Sequence, residues 1–100
     1  MTVNTQIANS GSKVTISVIG KFDFQLYDTF RNAYSDTNGS GVEYIVNFLN
    51  TDYLDSSALG MLLLLREHAG GEASDITILN ASGDVQKALE VANFKKLFKV

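Results

Sequence analysis

Asp55-Ser56-Ser57 follows a predicted strand and opens an apolar helix, which places three side chains with functional oxygen atoms at the start of that helix. Aspartate and serine are common N-caps, because their oxygens accept hydrogen bonds from the first backbone N–H groups of a helix. Those unpaired N–H groups and the helix dipole also accommodate an anion. Taken alone, the tripeptide indicates a helix cap, at a place where an added phosphoryl group would be tolerated.

The remaining reactive side chains form no convincing catalytic arrangement. The single histidine, His68, lies three turns beyond the serine pair on the same helix, too far to activate a hydroxyl, and we expect it to be solvated. Gly70-Gly71 lacks the following lysine of a phosphate-binding loop. Asp23, Asp52 and Asp55 carry the oxygen ligands that Mg²⁺ takes, but a solvated acidic rim is their more ordinary role. We therefore expect no enzyme activity, no metal site and no cofactor.

Bulk composition limits the partners and the compartment. The chain has 100 residues, of which 45% are hydrophobic, and a formal net charge of −3. This length predicts one domain over residues 1–100. An acidic chain is poorly suited to nucleic acid or to anionic membrane surfaces, which are themselves negatively charged. Cysteine is absent, which excludes disulfides and thiolate sites. With no signal peptide or membrane span visible, we expect a cytoplasmic protein without direct membrane insertion.

Residue periodicity predicts the elements that must position these side chains. Strands are predicted at residues 2–8, 13–19, 42–49 and 75–80. Helices are predicted at residues 25–36, from the serine pair to about residue 69, and at 82–92. We expect Asn93 to form a left-handed cap, and a closing turn over 94–100 to place Phe94, Leu97 and Phe98 on the core. The order β-β-α-β-α-β-α combines an antiparallel hairpin with two parallel crossovers. We therefore predict an α/β fold, in which a small mixed sheet of four to five strands is packed with about four helices.

Four segments in this order carry a family resemblance. Asp55-Ser56-Ser57-Ala58-Leu59-Gly60 resembles the STAS family (sulfate transporter and anti-sigma factor antagonist domains), whose usual string is Asp-Ser-Ser-Gly-Leu-Gly; Ala58 replaces a glycine. Gly20-Lys21-Phe22-Asp23 corresponds to Gly-x-Leu-Asp, and Tyr44-Ile45-Val46-Asn47-Phe48 to the central strand. Asn93-Phe94-Lys95-Lys96-Leu97-Phe98 looks like the closing Gly-Leu-x-x-Leu-Phe. The resemblance covers nearly the whole chain and implies a single STAS-like domain.

In the antagonist branch, the resemblance implies a phosphorylation switch. The unphosphorylated form binds an anti-sigma factor that is also a serine protein kinase, and so frees a sigma factor to regulate transcription; a serine phosphatase resets the cycle. Matched by position, Ser56 is the phosphoacceptor, with Ser57 as the alternative. Asp23 is the acidic residue expected beside it, and Asp55 and Ser57 are assigned to the same switch surface.

The helix after the serine pair supplies the remaining candidates. Helical spacing places Gly60 and Leu64 on the outer face and Leu63 in the buried arc. Gly60 would let a partner backbone approach and Leu64 would fill a pocket, although a scattered surface leucine is also normal. Three other functions stay open: a constitutive STAS subunit of a transport or signalling complex, a regulator of a non-sigma target, and nucleotide binding. A monomer is favoured.

Overall fold

Five strands and three α-helices make up the fold in residues 2–100, the part of the chain that the computed structural model describes. The strands are β1 (Thr2–Ala8), β2 (Lys13–Phe22), β3 (Glu43–Asn47), β4 (Thr51–Leu54) and β5 (Asp75–Leu79). The helices are α1 (Tyr27–Asn32), α2 (Ser56–His68) and α3 (Gly83–Val91). The α/β class and the mixed sheet are confirmed. The expectation of about four helices was wrong. The five strands agree with the four to five expected, but the observed order is β-β-α-β-β-α-β-α, which has one strand more than the predicted order.

The long strand β2 is the centre of the sheet. It pairs antiparallel with β1, from Thr2 opposite Ile19 to Ala8 opposite Lys13. On its other side it pairs parallel with β3 along its first half and with β4 along its last residues. β5 extends the sheet as a parallel neighbour of β3, which gives the order β1-β2-β3-β5. β3 and β4 therefore lie one after the other beside β2.

Two features explain why the strands before α2 differ from the prediction. β2 runs past Gly20, where the sequence predicted its end, because that glycine adopts φ +89° and the register shifts between Gly20 and Lys21. β4 has only four residues and one buried side chain, Leu54, so it carries no alternating pattern. A hydrogen bond from Thr51 Oγ1 to the Val18 carbonyl, 2.6 Å long, ties the start of β4 to β2.

The core lies between one face of the sheet and the helices. Alternate residues of the parallel strands are buried while their neighbours are half-exposed, so only one face of the sheet is covered: Val14, Ile16, Val18, Tyr44, Val46, Ile76 and Ile78 carry the buried face. Aromatic rings fill the space above it, with Phe22 4.9 Å from Phe30 and 6.0 Å from Phe48 between ring centroids. This packing holds α1 and α2 side by side on the sheet.

The first helix and the end of the chain are more irregular than predicted. A 3₁₀ turn over Phe24–Leu26 replaces the first residues of the expected helix, and α1 ends at Asn32. At the other end, Asn93 has the left-handed backbone that its position predicted, with φ +61°. Phe98 is buried as expected, whereas Leu97 is 37% exposed, so its predicted packing on the core was wrong.

Candidate functional site

The pairing of β2 with β4 brings two predicted site residues together. Phe22 and Leu54 are register partners in these parallel strands. The residues that follow them, Asp23 and Asp55, therefore leave the sheet side by side at the carboxyl ends of the strands. The predicted proximity of Asp23 to the start of α2 thus follows from a strand that the sequence did not reveal.

Each of these aspartates caps the element that follows it. Asp55 Oδ1 accepts a hydrogen bond of 3.1 Å from the backbone N–H of Ala58, which is the N-cap interaction that the sequence indicated. Asp23 Oδ1 accepts one of 3.0 Å from the N–H of Gln25 and caps the 3₁₀ turn. Both aspartates are half-buried, and one carboxylate oxygen of each accepts from a backbone N–H.

The two serines occupy different environments in the first turn of α2. Ser56 is the first helical residue and is exposed, whereas Ser57 is half-buried. Among residues 2–100, the Ser56 hydroxyl makes no hydrogen bond. The N–H groups of both serines precede the first intrahelical bonds and have no acceptor within the helix. An enzyme could therefore reach the Ser56 hydroxyl without opening the fold.

One exposed stripe of α2 starts at Ser56. At 100° per residue, five residues fall within about 100° of one another and all are exposed: Ser56, Gly60, Leu63, Leu64 and Glu67. We call this set the α2 stripe. Leu64 is 45% exposed, as its predicted outward position requires, and a Cβ at Gly60 would meet no atom within 4 Å. Leu63 is 39% exposed, so its predicted place in the buried arc was wrong.

Leu63 is the surface residue that sequence reasoning missed. It precedes Glu67 by one turn and follows Ser56 by two, and these spacings alone put it on their face. The apolar run around it obscured this signal. The buried face of α2 is narrower than its composition indicates and comprises Ala58, Met61, Leu62 and Leu65.

A groove of about 400 Å³ separates α1 from α2 and opens beside the α2 stripe. Its lining consists of Tyr27, Arg31, Tyr34, Ser35, Leu64 and His68. Leu64 belongs to both surfaces. Eight residues separate it from Ser56, so it lies about 12 Å along the helix axis from the serine. The exposed ring of Phe24 lies beside the groove and is tilted by 31° against the ring of Tyr27, with 5.9 Å between their centroids.

His68 fixes the far end of α2 and is not the solvated residue that we expected. It is half-buried and packs against the rings of Tyr34 and Tyr44, at centroid distances of 5.0 and 6.3 Å. Its Nε2 lies 3.0 Å from the Thr37 carbonyl oxygen. A carbonyl can only accept, so Nε2 carries the hydrogen in this pair. The loop after α1 is thereby attached to the end of α2.

The hydroxyls of Thr37 and Tyr44 beside this histidine have defined donor and acceptor roles. Thr37 Oγ1 lies 2.5 Å from the Tyr34 carbonyl oxygen and 2.5 Å from the hydroxyl of Tyr44. Its single hydrogen goes to the carbonyl, so Tyr44 donates to Thr37. Tyr44 is fully buried, and this bond is what satisfies its hydroxyl.

Asp52 stands apart from this arrangement on the exposed surface of β4. Within residues 2–100, no group of three or more histidine, cysteine or acidic side chains is placed to hold a metal ion. No helix in the same part of the chain is long and apolar enough to cross a membrane.

A family model described as "Mlab, STAS domain" matches residues 5–99. The chain belongs to the STAS family. A relative, the STAS-domain containing protein of Pseudomonas aeruginosa (strain UCBPP-PA14), is 45% identical to this STAS domain over 100 residues, which cover all of this chain and 99% of the relative.

Solved structures share the fold of this STAS domain at low sequence identity. The anti-sigma factor antagonist SpoIIAA in its unphosphorylated form superposes with a TM-score of 0.78 at 20% identity, over 96% of this chain and 84% of that one. The phosphorylated form of SpoIIAA, described as a Bacillus cell fate determinant, gives 0.65 at 19% identity, over 96% and 87%. An anti-sigma factor antagonist from Mycobacterium paratuberculosis gives 0.67 at 16% identity, over 97% and 83%.

Proposed function

We propose that this STAS domain is a phosphorylation-switched protein-binding module without catalytic activity. The unmodified form binds its partner through the α2 stripe, and phosphorylation of Ser56 releases the partner. By analogy with the antagonists that share its fold, the partner is an anti-sigma factor with serine kinase activity, and a serine phosphatase restores the unmodified form. The observation that carries the proposal is the exposure of the Ser56 hydroxyl at the head of the α2 stripe, beside Asp23 and Asp55.

Phosphorylation would change the charge of this surface more than its shape. A phosphoryl group adds about −1.5 to −2 charge at pH 7. The free N–H groups in the first turn of α2 stabilise an anion there, so the helix keeps its cap. Asp23 and Asp55 lie at the same end of the helix, so the modified surface carries several negative charges on adjacent residues. The fold does not need to rearrange for the partner's affinity to change.

The expected loss of binding free energy on phosphorylation is large enough for a switch. A partner surface that packs against a neutral hydroxyl must desolvate a dianion or face like charges after modification, and such juxtaposition costs several kcal/mol. Because about 1.4 kcal/mol corresponds to a tenfold change in Kd, we expect roughly a hundredfold weaker binding or more.

The other residues of the proposed contact surface combine apolar side chains with a nearby positive charge. Gly60 leaves room for close approach, Leu63 and Leu64 offer apolar side chains, and Arg31 lies in the adjoining groove. This set suits a partner segment that carries an apolar anchor and an acidic group. Desolvated apolar anchors contribute much of the energy of protein interfaces.

The test uses the two adjacent serines as a matched pair. The chain is isolated from its native cells as wild type, Ser56→Asp, Ser56→Ala and Ser57→Asp, and bound proteins are quantified by mass spectrometry. We expect Ser56→Asp to lose the kinase partner and Ser56→Ala to retain it. Ser57→Asp adds the same charge in the same turn but off the α2 stripe, so it is expected to retain most binding. Equal recovery with all four forms would refute the switch.

A second function is favoured by the family match itself. The matching model is described by the name "Mlab, STAS domain", whereas the resemblance to the antagonists of solved structure rests on fold. The chain could thus be a constitutive STAS subunit of a transport or signalling complex, which needs no modified serine. Constant recovery with membrane ATPase subunits, and Ser56 free of phosphate in every growth condition, would favour this function.

A further inference from the structure

The two edges of the sheet are protected to different degrees. At the β5 edge, the C-terminal segment adds a short parallel bridge, in which the Ile78 N–H donates to the Lys99 carbonyl oxygen at 2.6 Å. Lys99 also donates to Asp75 at 2.8 Å, which places an ion pair on that edge. At the other edge, within residues 2–100, no strand pairs with the outer side of β1.

The β1 strand lacks the usual devices that keep an edge from pairing with another chain. Natural edge strands are shortened, bulged, or marked by lysine or proline. β1 (Thr2–Ala8) has seven residues, TVNTQIA, none of them charged and none proline. Its pairing with β2 runs from end to end without a register shift, so no bulge turns it away. Six of its seven side chains are exposed, and Val3 is half-buried.

We infer that the outer edge of β1 is a self-association surface, on which a second copy of this chain adds its own β1 in antiparallel orientation. Two-fold symmetry makes such a contact self-complementary, because each strand donates and accepts in the same places. Each chain has a net charge of −3, so two copies repel each other at long range. Because β1 carries no charged side chain, no like charges add to this repulsion at the contact itself. The contact would join two five-stranded sheets into one.

The length and side chains of β1 select one register for this contact. Thr5 is the middle residue, so a two-fold axis at Thr5 pairs all seven residues of each strand. That register places Val3 of each copy opposite Ile7 of the other, on one face of the joined sheet. Ile7 is 61% exposed in the single chain, although it lies on the same face as its buried β2 partner, Val14. Pairing would cover it.

The contact is expected to be weak and reversible. Stable interfaces bury about 800 Å² on each partner, and one strand edge with two apolar side chains covers less. The dimer should therefore appear as a concentration-dependent rise in mass over the micromolar to millimolar range, independent of the modification state of Ser56.

Sedimentation equilibrium with charge-swapped variants tests the inference. Thr5→Lys and Thr5→Glu each place like charges directly opposite each other across the axis, and each should be monomeric at concentrations where the wild type is dimeric. An equimolar mixture of the two should restore a dimer. This rescue also shows that both variants are folded. Thr29→Lys, an exposed position on α1, makes the same change elsewhere and should dimerise like the wild type.

Three results would overturn the inference. A wild-type chain that is monomeric up to millimolar concentration has no such contact. A dimer that survives Thr5→Lys uses another surface. A failure of the Thr5→Lys and Thr5→Glu mixture to associate, while each variant keeps its circular dichroism spectrum, would rule out the proposed register.

Discussion

Gly60 occupies an exposed position in the middle of α2, where an alanine would be the better helix former. Its backbone is helical, and an added Cβ would meet no atom within 4 Å. Alanine is favoured over glycine in a helix interior by about 0.8–1.0 kcal/mol. Since no contact opposes the change, Gly60→Ala is expected to raise the free energy of unfolding by about that amount. In a domain of this size, 1 kcal/mol corresponds to a rise in Tm of about 4–8 °C.

Gly83 provides a matched control with the opposite expected sign. A Cβ there would also meet no atom within 4 Å, but the residue has φ +56°. A left-handed backbone disfavours alanine relative to glycine by about 1–2 kcal/mol. Alanine also reduces the conformational entropy of the unfolded chain, which stabilises the folded state by about 0.4–1 kcal/mol and offsets part of this cost. Gly83→Ala should therefore lower stability by about 1 kcal/mol. Gly39→Ala should lower it most, because its Cβ would collide with the His68 carbonyl oxygen.

Urea unfolding followed by circular dichroism measures all three variants. The midpoint should shift upward for Gly60→Ala and downward for the other two, with unchanged m-values. A Gly60→Ala variant no more stable than the wild type would refute the expectation that this exposed helical glycine lowers the free energy of unfolding. A stabilised Gly83→Ala would show that the backbone angle assigned to that glycine is incorrect.

Two further predictions concern the buried network at the end of α2. Thr37→Val leaves the Tyr44 hydroxyl without its acceptor and should destabilise by about 1–3 kcal/mol in urea unfolding, with Tyr44→Phe in the same chain recovering part of the loss. Burial raises the pKa of Tyr34 above its ordinary value of 10.0, against the opposing effect of Arg31. The unfolded chain therefore loses this proton first, so stability should fall as pH rises from 10 through the raised pKa. The same measurement on Tyr34→Phe should show a smaller decline, and an equal decline would contradict the assignment.

The strongly patterned parts of the fold could be predicted from sequence. The alternation in Lys13–Ile19 and the capping residues before α2 each act locally, so the residue types alone specify them. The bounds of β1 were predicted without error. The sequence does not indicate which strand, if any, pairs with its outer edge. Asn93 was predicted to be left-handed because asparagine tolerates that backbone at a helix end.

The features that depend on tertiary contacts could not be predicted. β4 is a strand because Thr51 and Leu54 find partners on β2, and its four residues have no period of their own. His68 is half-buried because the loop after α1 folds over it, which no local pattern records. The extension of β2 past Gly20 likewise requires a neighbouring strand to continue the ladder.

The candidate site divides in the same way. The sequence placed Gly60 and Leu64 on one face, since helical spacing is a local property; that Ser56 shares this face was established by the structure. The position of Asp23 beside Asp55 came from the family resemblance, and its physical basis is the register of β2 with β4. Leu63 was assigned to the wrong face because its apolar neighbours outweighed its spacing from Glu67.

The most direct test of the switch is the phosphate occupancy of Ser56 in two pools of the native protein. The chain is recovered from its own cells and separated into partner-bound and free fractions, and the phosphorylated fraction at Ser56 is measured in each by quantitative mass spectrometry. We expect phosphate in the free pool and nearly none in the bound pool. Equal occupancy in the two pools, or no phosphate at Ser56 in either, would contradict it.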